Sequence, residues 1–305
     1  MDAAKLKVLV TGATGYVGGQ LLKRLSASQF EIRCLVRDPK KIRDPLPGSV
    51  SVEQGDLLSY DSVAKSLQGI DVAFYLVHSM DSKSEFQQLE SEAAENFAKA
   101  AAQNGVKRII YLGALTAENE ADLSPHLQSR KDVGDLLRKS GAQVFEFQAS
   151  IVLGAGSLSY EMIKALSERL PIMIMPRWVS VKAQPICIKD ALDYLVQAID
   201  LKMEGNQTFE IGGPDQVSYK ELMQEYSRQR GLRRLFISVP VLTPWLSSLW
   251  LALVTPVYAT VGKKLILSIK TPTLVKNDRP RQIFKNIEPM SVTDAIAYAL
   301  KSNPS

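Results

Sequence analysis

The stretch KVLVTGATGYVGGQLLKRL, Lys7 to Leu25, restricts the fold of this chain more than any other. A short apolar run, of the kind a fully buried parallel strand requires, ends at a glycine. Gly12, Gly15 and Gly18 then separate it from a segment in which Val17, Leu21, Leu22 and Leu25 recur at helical spacing. In a strand–turn–helix unit of this kind the first glycine permits the sharp turn. The second lets a ligand approach the backbone, and the third lets the helix settle on the sheet. The unpaired N–H groups at the helix start then face an anion such as a diphosphate. Thr14, Tyr16 and Val17 complete this candidate dinucleotide-binding turn.

The same rhythm continues downstream. Strand patterns are expected at 30–38, 50–57, 71–79, 106–114 and 142–154, and helices at 59–69, 84–105 and 129–141. Strand–helix alternation over about 150 residues implies a doubly wound parallel α/β sheet, the Rossmann architecture, with right-handed crossovers. After Gly154 the rhythm loosens, with helices expected at 158–169, 189–200 and 218–230 and a strand at 207–211. The expected division is a dinucleotide-binding domain over 1–154 and a smaller, discontinuous C-terminal substrate lobe over 155–305. Residues 186–212 are expected to rejoin the first domain.

The end of the second strand selects among dinucleotides. It reads CLVRDPKK, with Arg37 ahead of Asp38, Lys40 and Lys41. A guanidinium can fork onto a ribose 2′-phosphate and stack on adenine, so Arg37 favours NADP(H). Asp38 leaves NAD(H) open, because an acidic residue in this region binds a free 2′-hydroxyl. In QGDLLS, Asp56 is placed to accept from the adenine amino group and Leu57 to lie against the ring.

Other chemistries find little support. Cys34 and Cys187 sit in apolar runs and read as buried thiols. Two histidines and no Cys-x-x-Cys supply no zinc-ligand spacing, so no metal is expected. Met1 to Leu6 is too short and too charged for a secretory signal, which makes a cytoplasmic location the simplest expectation. Residues 201–305 hold 14 Lys and Arg against 8 Asp and Glu, whereas residues 1–200 hold 23 against 24. That basic third reads as a solvated face or as contact with an anionic partner. No interleaving of aromatic and basic residues points to nucleic acid. Val239 to Gly262 carries no charge over 24 residues, but Pro240, Pro244 and Pro256 interrupt it. It reads first as a buried lobe or homodimer surface, with peripheral membrane contact as the alternative.

Thr11–Gly18, TGATGYVG, together with LVRDP, GDL, YLVHSM, RIIYLGAL, QASIVLGAG and FEIGGP, resembles the short-chain dehydrogenase/reductase superfamily in its atypical and extended branch. The resemblance spans nearly the whole chain. It implies the Rossmann fold, a nicotinamide cofactor, and passage of the chain at Val77 beneath the nicotinamide ribose. It also implies a catalytic Tyr followed four residues later by Lys. Here the matching stretch is HLQSR, with His126 in place of Tyr and Arg130 in place of Lys, and Thr116 is the hydroxyl of the upstream position. Two readings stay open. In one, His126 donates the proton, Arg130 holds the ribose, and His78 or Ser79 supplies a second polar group. In the other, the protein binds NAD(P)(H) without turnover, as a sensor or scaffold. Met162, Met173, Met175 and Trp178, with Arg177 and Lys182, either line a pocket for a small hydrophobic carbonyl or quinone or fill the core.

Overall fold

A computed structural model describes residues 5–26, 30–42, 49–78, 86–115, 124–238 and 271–302. In chain order its elements are β1 (Lys7–Thr11), α1 (Tyr16–Ser26), β2 (Glu31–Val36), β3 (Val50–Gln54), α2 (Tyr60–Ser66), β4 (Val72–Tyr75), α3 (Phe86–Gln103), β5 (Arg108–Ala114), α4 (Pro125–Arg138) and β6 (Gln143–Ala149). Then come β7 (Val152–Leu153), α5 (Leu158–Arg169), β8 (Ile172–Met175), β9 (Lys182–Ala183), β10 (Ile186–Cys187), α6 (Ile188–Gln197), β11 (Gln207–Ile211), β12 (Val217–Ser218), α7 (Tyr219–Gln229) and β13 (Leu235–Ser238). A short helix at Arg279–Ile283 and a final one at Val292–Ser302 follow.

Seven strands form one sheet in the order β11-β6-β5-β4-β1-β2-β3. The pairings β5–β4, β4–β1, β1–β2 and β2–β3 are parallel. This is the doubly wound Rossmann sheet expected from the sequence, and its order reverses between β1 and β4. Val8, Leu9 and Val10 are fully buried, as a strand covered by helices on both faces must be. Ala93, Ala94, Phe97, Ala100 and Ala101 of α3 pack into the same core as Tyr75, Tyr111, Val133 and Leu137.

The chain divides into two compact units. One comprises 1–114, 128–148 and 192–209, and the other 115–127, 149–191 and 210–305. The chain passes between the units more than once. The expected sixth strand at 142–154 is two strands. β6 ends at Ala149, and β7 pairs with β10 through Val152↔Ile186 and Leu153↔Cys187. α4 begins at Pro125, not at Ser129, because proline suits the first helical turn. Ser124 Oγ also accepts the Leu127 N–H at 3.4 Å.

In the second unit, Met162, Met173 and Met175 are buried. Lys182 is held by Glu221, its Nζ 2.7 Å from each carboxylate oxygen. Ser218 and Glu221 form a capping box at the start of α7. Gln184 donates to the Gly213 carbonyl and accepts from the Val275 N–H, so the glycines of FEIGGP serve backbone packing. The side chains of Arg177 and Trp178, together with Ser79, Thr116 and the whole of 239–262, lie outside the described residues. Among the described residues no helix is long and apolar enough to cross a membrane, and no cluster of His, Cys, Asp and Glu could hold a metal. Burial pushes the thiols up, Cys34 to about 12 and Cys187 to about 11, as expected of inert core cysteines.

Candidate functional site

The glycine turn has the geometry its spacing implies. Gly12 has φ 72°, and a Cβ there would stand 2.6 Å from the Leu76 carbonyl oxygen. A Cβ on Gly18 would meet the Gly12 carbonyl oxygen at 2.2 Å. These two glycines let β1, the start of α1 and the end of β4 close on one another. Gly15 differs. Among the described residues, the Gly12 carbonyl oxygen at 3.2 Å is the one atom within 4 Å that its Cβ would meet. That is the cradle a diphosphate needs over the N-terminus of an eleven-residue helix. Thr14 and Gly15 are exposed there, and Tyr16 and Val17 are half-buried. Thr11 locks the turn, because its buried hydroxyl donates to the Phe74 carbonyl and accepts the Leu76 N–H. The backbone just before Val77 is thereby fixed beside the turn.

In an open α/β sheet a ligand lies in the crevice where the strand order reverses, here at the ends of β1 and β4. The β2–β3 side carries the groups expected to meet adenosine. Arg37 is exposed just past β2, and no carboxylate among the described residues pairs with it. Asp38 is occupied as a cap, its carboxylate accepting the Lys40 N–H at 3.0 Å at the start of the turn Pro39–Lys41. Lys40 and Lys41 are exposed. Asp56 holds its own turn, with Oδ1 accepting the Leu58 N–H at 3.1 Å, and Leu57 is buried. Asn96 of α3, which the sequence reading did not single out, fixes this loop by donating to the carbonyls of Leu57 and Leu58.

The β4–β5 side carries a polar cluster. His78 follows β4, and its Nδ1 lies 2.7 Å from Oε1 of Glu90 on α3, with the two side chains 16% and 7% exposed. The other Glu90 oxygen accepts the hydroxyl of buried Ser129 on α4. Next in sequence, Arg130 donates to the Leu112 carbonyl of β5, and its own carbonyl accepts the Tyr111 hydroxyl. Burial pushes the Tyr111 hydroxyl up to about 12 against the opposing pull of Arg130. Burial, with Tyr111 and Glu90 beside it, raises Tyr75 further still. Both phenols therefore stay neutral at any working pH. The structure brings His78 and Arg130 into one cluster. It places His126 half-buried in the first turn of α4, within the other compact unit.

Neither Glu90 nor Ser129 is singled out in the sequence analysis. Helical spacing holds the missed signal. Glu90 falls in register with Ala93, Ala94, Phe97 and Ala101, and Ser129 with Val133 and Leu137, all of them buried.

A family model described as NAD(P)H-binding matches residues 12–152. UDP-glucose 4-epimerase of Vibrio cholerae is 24% identical over 247 residues, which cover 72% of this chain and 74% of that protein. The photosystem II assembly factor Ycf39 of Cyanophora paradoxa is 21% identical over 240 residues, covering 77% and 72%. The NADPH-dependent quinone oxidoreductase QOR2 of Escherichia coli, solved with NADPH, superposes with a TM-score of 0.72 at 18% identity, over 95% of this chain and 99% of that one.

Proposed function

From its NAD(P)H-binding family match over residues 12–152 and its likeness to short-chain dehydrogenase/reductase proteins, we propose that this protein is an atypical member of that superfamily that binds NADP(H) and reduces an apolar carbonyl, enone or quinone. The observation that carries the reading is the pairing of an open diphosphate cradle at Gly15 with a proton-bearing cluster, His78, Glu90, Ser129 and Arg130, in the same compact unit. The bound nicotinamide would supply the hydride. Gly12, Gly15 and Gly18 hold the diphosphate, and the cluster on α3 and α4 serves the reacting end.

Preference for the phosphorylated cofactor follows from Arg37 and Asp38. The guanidinium is exposed beyond β2, and the neighbouring carboxylate, which would repel a 2′-phosphate, is engaged as a cap. The likeness to a quinone oxidoreductase that binds NADPH is consistent with both halves of the proposal. Titration of NADPH and NADH by tryptophan quenching, followed by NADPH oxidation across a panel of ketones, enones and quinones, tests it. No binding of either cofactor, or binding with no turnover on any compound, would count against it.

A second reading, a non-catalytic NAD(P)(H)-binding subunit at a lipid surface, draws on one observation. Ile172 and Ile174 of β8 and their register partners Leu235 and Ile237 of β13 are exposed side by side. Exposed Arg169 and Arg233 precede the two strands, and an uncharged stretch of sequence follows β13. Such a face suits an anionic bilayer. Co-sedimentation with phosphatidylserine vesicles that weakens with salt would support this reading, and a homodimer with no vesicle binding would sink it.

A further inference from the structure

We propose that His78 is the proton donor of the reduction and that Glu90 is the residue that positions it, an assignment that rests on the reductase reading above. His126 is the donor that alignment with the superfamily's tyrosine suggests. The structure instead builds a supported imidazole at His78. The ring is only 16% exposed, its Nδ1 lies 2.7 Å from a carboxylate that is itself buried, and that carboxylate is braced from the far side by the Ser129 hydroxyl.

A buried carboxylate beside an imidazole supplies the counter-charge of an imidazolium, here by close approach to Nδ1 and not through an aligned hydrogen bond. Glu90 crowds the Nδ1 side of the ring, so the transferable proton is assigned to Nε2. The position fits as well. His78 lies on the chain just past the β4 backbone that meets Gly12, on the side of the strand-order reversal opposite Arg37. The nearby phenols are poorly suited to the role, because both rings are buried, the Tyr111 hydroxyl already donates to the Arg130 carbonyl, and burial makes both weaker acids than an ordinary tyrosine.

The substrate carbonyl carbon takes the hydride that the dihydronicotinamide supplies, which leaves the cofactor oxidised. The carbonyl oxygen takes the proton from Nε2 of His78, and the neutral imidazole regains a proton from water. Glu90 touches neither substrate nor cofactor and acts through His78.

The chain has two histidines, so its imidazole spectrum is assignable with one variant, His78→Asn. The first arm records the imidazole resonances of the full chain with NADPH and with adenosine 2′,5′-bisphosphate, which fills only the adenosine half. NADPH should move the His78 signals and the bisphosphate should not. If both are bound by fluorescence and neither moves His78, or if only His126 responds, the placement is wrong whatever the activity.

The second arm follows single-turnover oxidation of NADPH by menadione. His78→Asn and Glu90→Gln should each slow it by about 100-fold or more, within the range of general acid catalysis, with NADPH affinity unchanged. Glu90→Asp should restore the rate to within about 10-fold of wild type, since it keeps the charge. Should Glu90→Gln fail to fold, Glu90→Asp and His78→Asn still decide. A loss confined to His126→Asn overturns the assignment. No oxidation by the wild-type chain on any quinone or ketone overturns the reductase reading, and the donor role with it. The spectra still report separately on where His78 sits.

Discussion

A Cβ on Gly18 would stand 2.2 Å from the carbonyl oxygen of Gly12, an atom that belongs to the backbone and cannot move aside. Gly18→Ala should therefore disturb the seating of α1 on the sheet. Overpacking of this kind costs about 1–3 kcal/mol, which should appear as a lower urea midpoint together with lost cofactor binding. Gly15→Ala separates the two effects. Among the described residues its Cβ meets only the Gly12 carbonyl oxygen, at 3.2 Å, so the fold should persist while NADPH affinity falls by about 10-fold or more. Equal loss of stability in both variants would contradict this division of roles.

Arg37 should discriminate between cofactors. A hydrogen bond to a charged group is worth about 1.5–3 kcal/mol. Arg37→Ala should then weaken NADPH by about 10- to 100-fold and leave NADH nearly untouched. Isothermal titration with both cofactors checks this, and parallel losses for the two would remove the 2′-phosphate role.

Glu146 should prove structural. It lies on β6 with its side chain 3% exposed and is paired with Arg138. Gln148 donates to its other oxygen at 2.8 Å. A Cβ at Gly113 or Gly134 would come within 3.0 Å of its carboxylate, so both glycines keep room for it. Removing one partner of a buried ion pair costs about 3–5 kcal/mol, so Glu146→Ala should lose that much in urea denaturation while retained protein still binds cofactor.

The acid limb of stability should involve Glu221 and Glu225. Burial works to raise Glu221, but Lys182 and Ser218 outweigh it and bring it to about 2. Arg228 is the main cause of lowering Glu225 to about 2. A carboxylate whose pKa is lower folded than unfolded adds stability above the unfolded value, and that contribution is lost as pH falls through the folded one. Stability should fall from about pH 4.5 toward pH 2, and Glu221→Gln should flatten that slope in thermal melts. An unchanged slope would mean that the pair with Lys182 is not held in solution.

The chain's order of residues was enough to establish the Rossmann sheet and the glycine turn. Each rests on near neighbours in sequence. A strand's apolar run and glycines at three-residue spacing are local patterns, and local sterics enforce them. Pairings between residues far apart along the chain were decided only by the tertiary structure. Glu90 reads as one more charge on a polar helix until His78 of the β4 loop and Ser129 of α4 are brought to it. Lys182 reads as a candidate for an anionic ligand until Glu221 takes it. A buried charge is tolerable only beside its counter-charge, and which counter-charge arrives depends on how the sheet is wound.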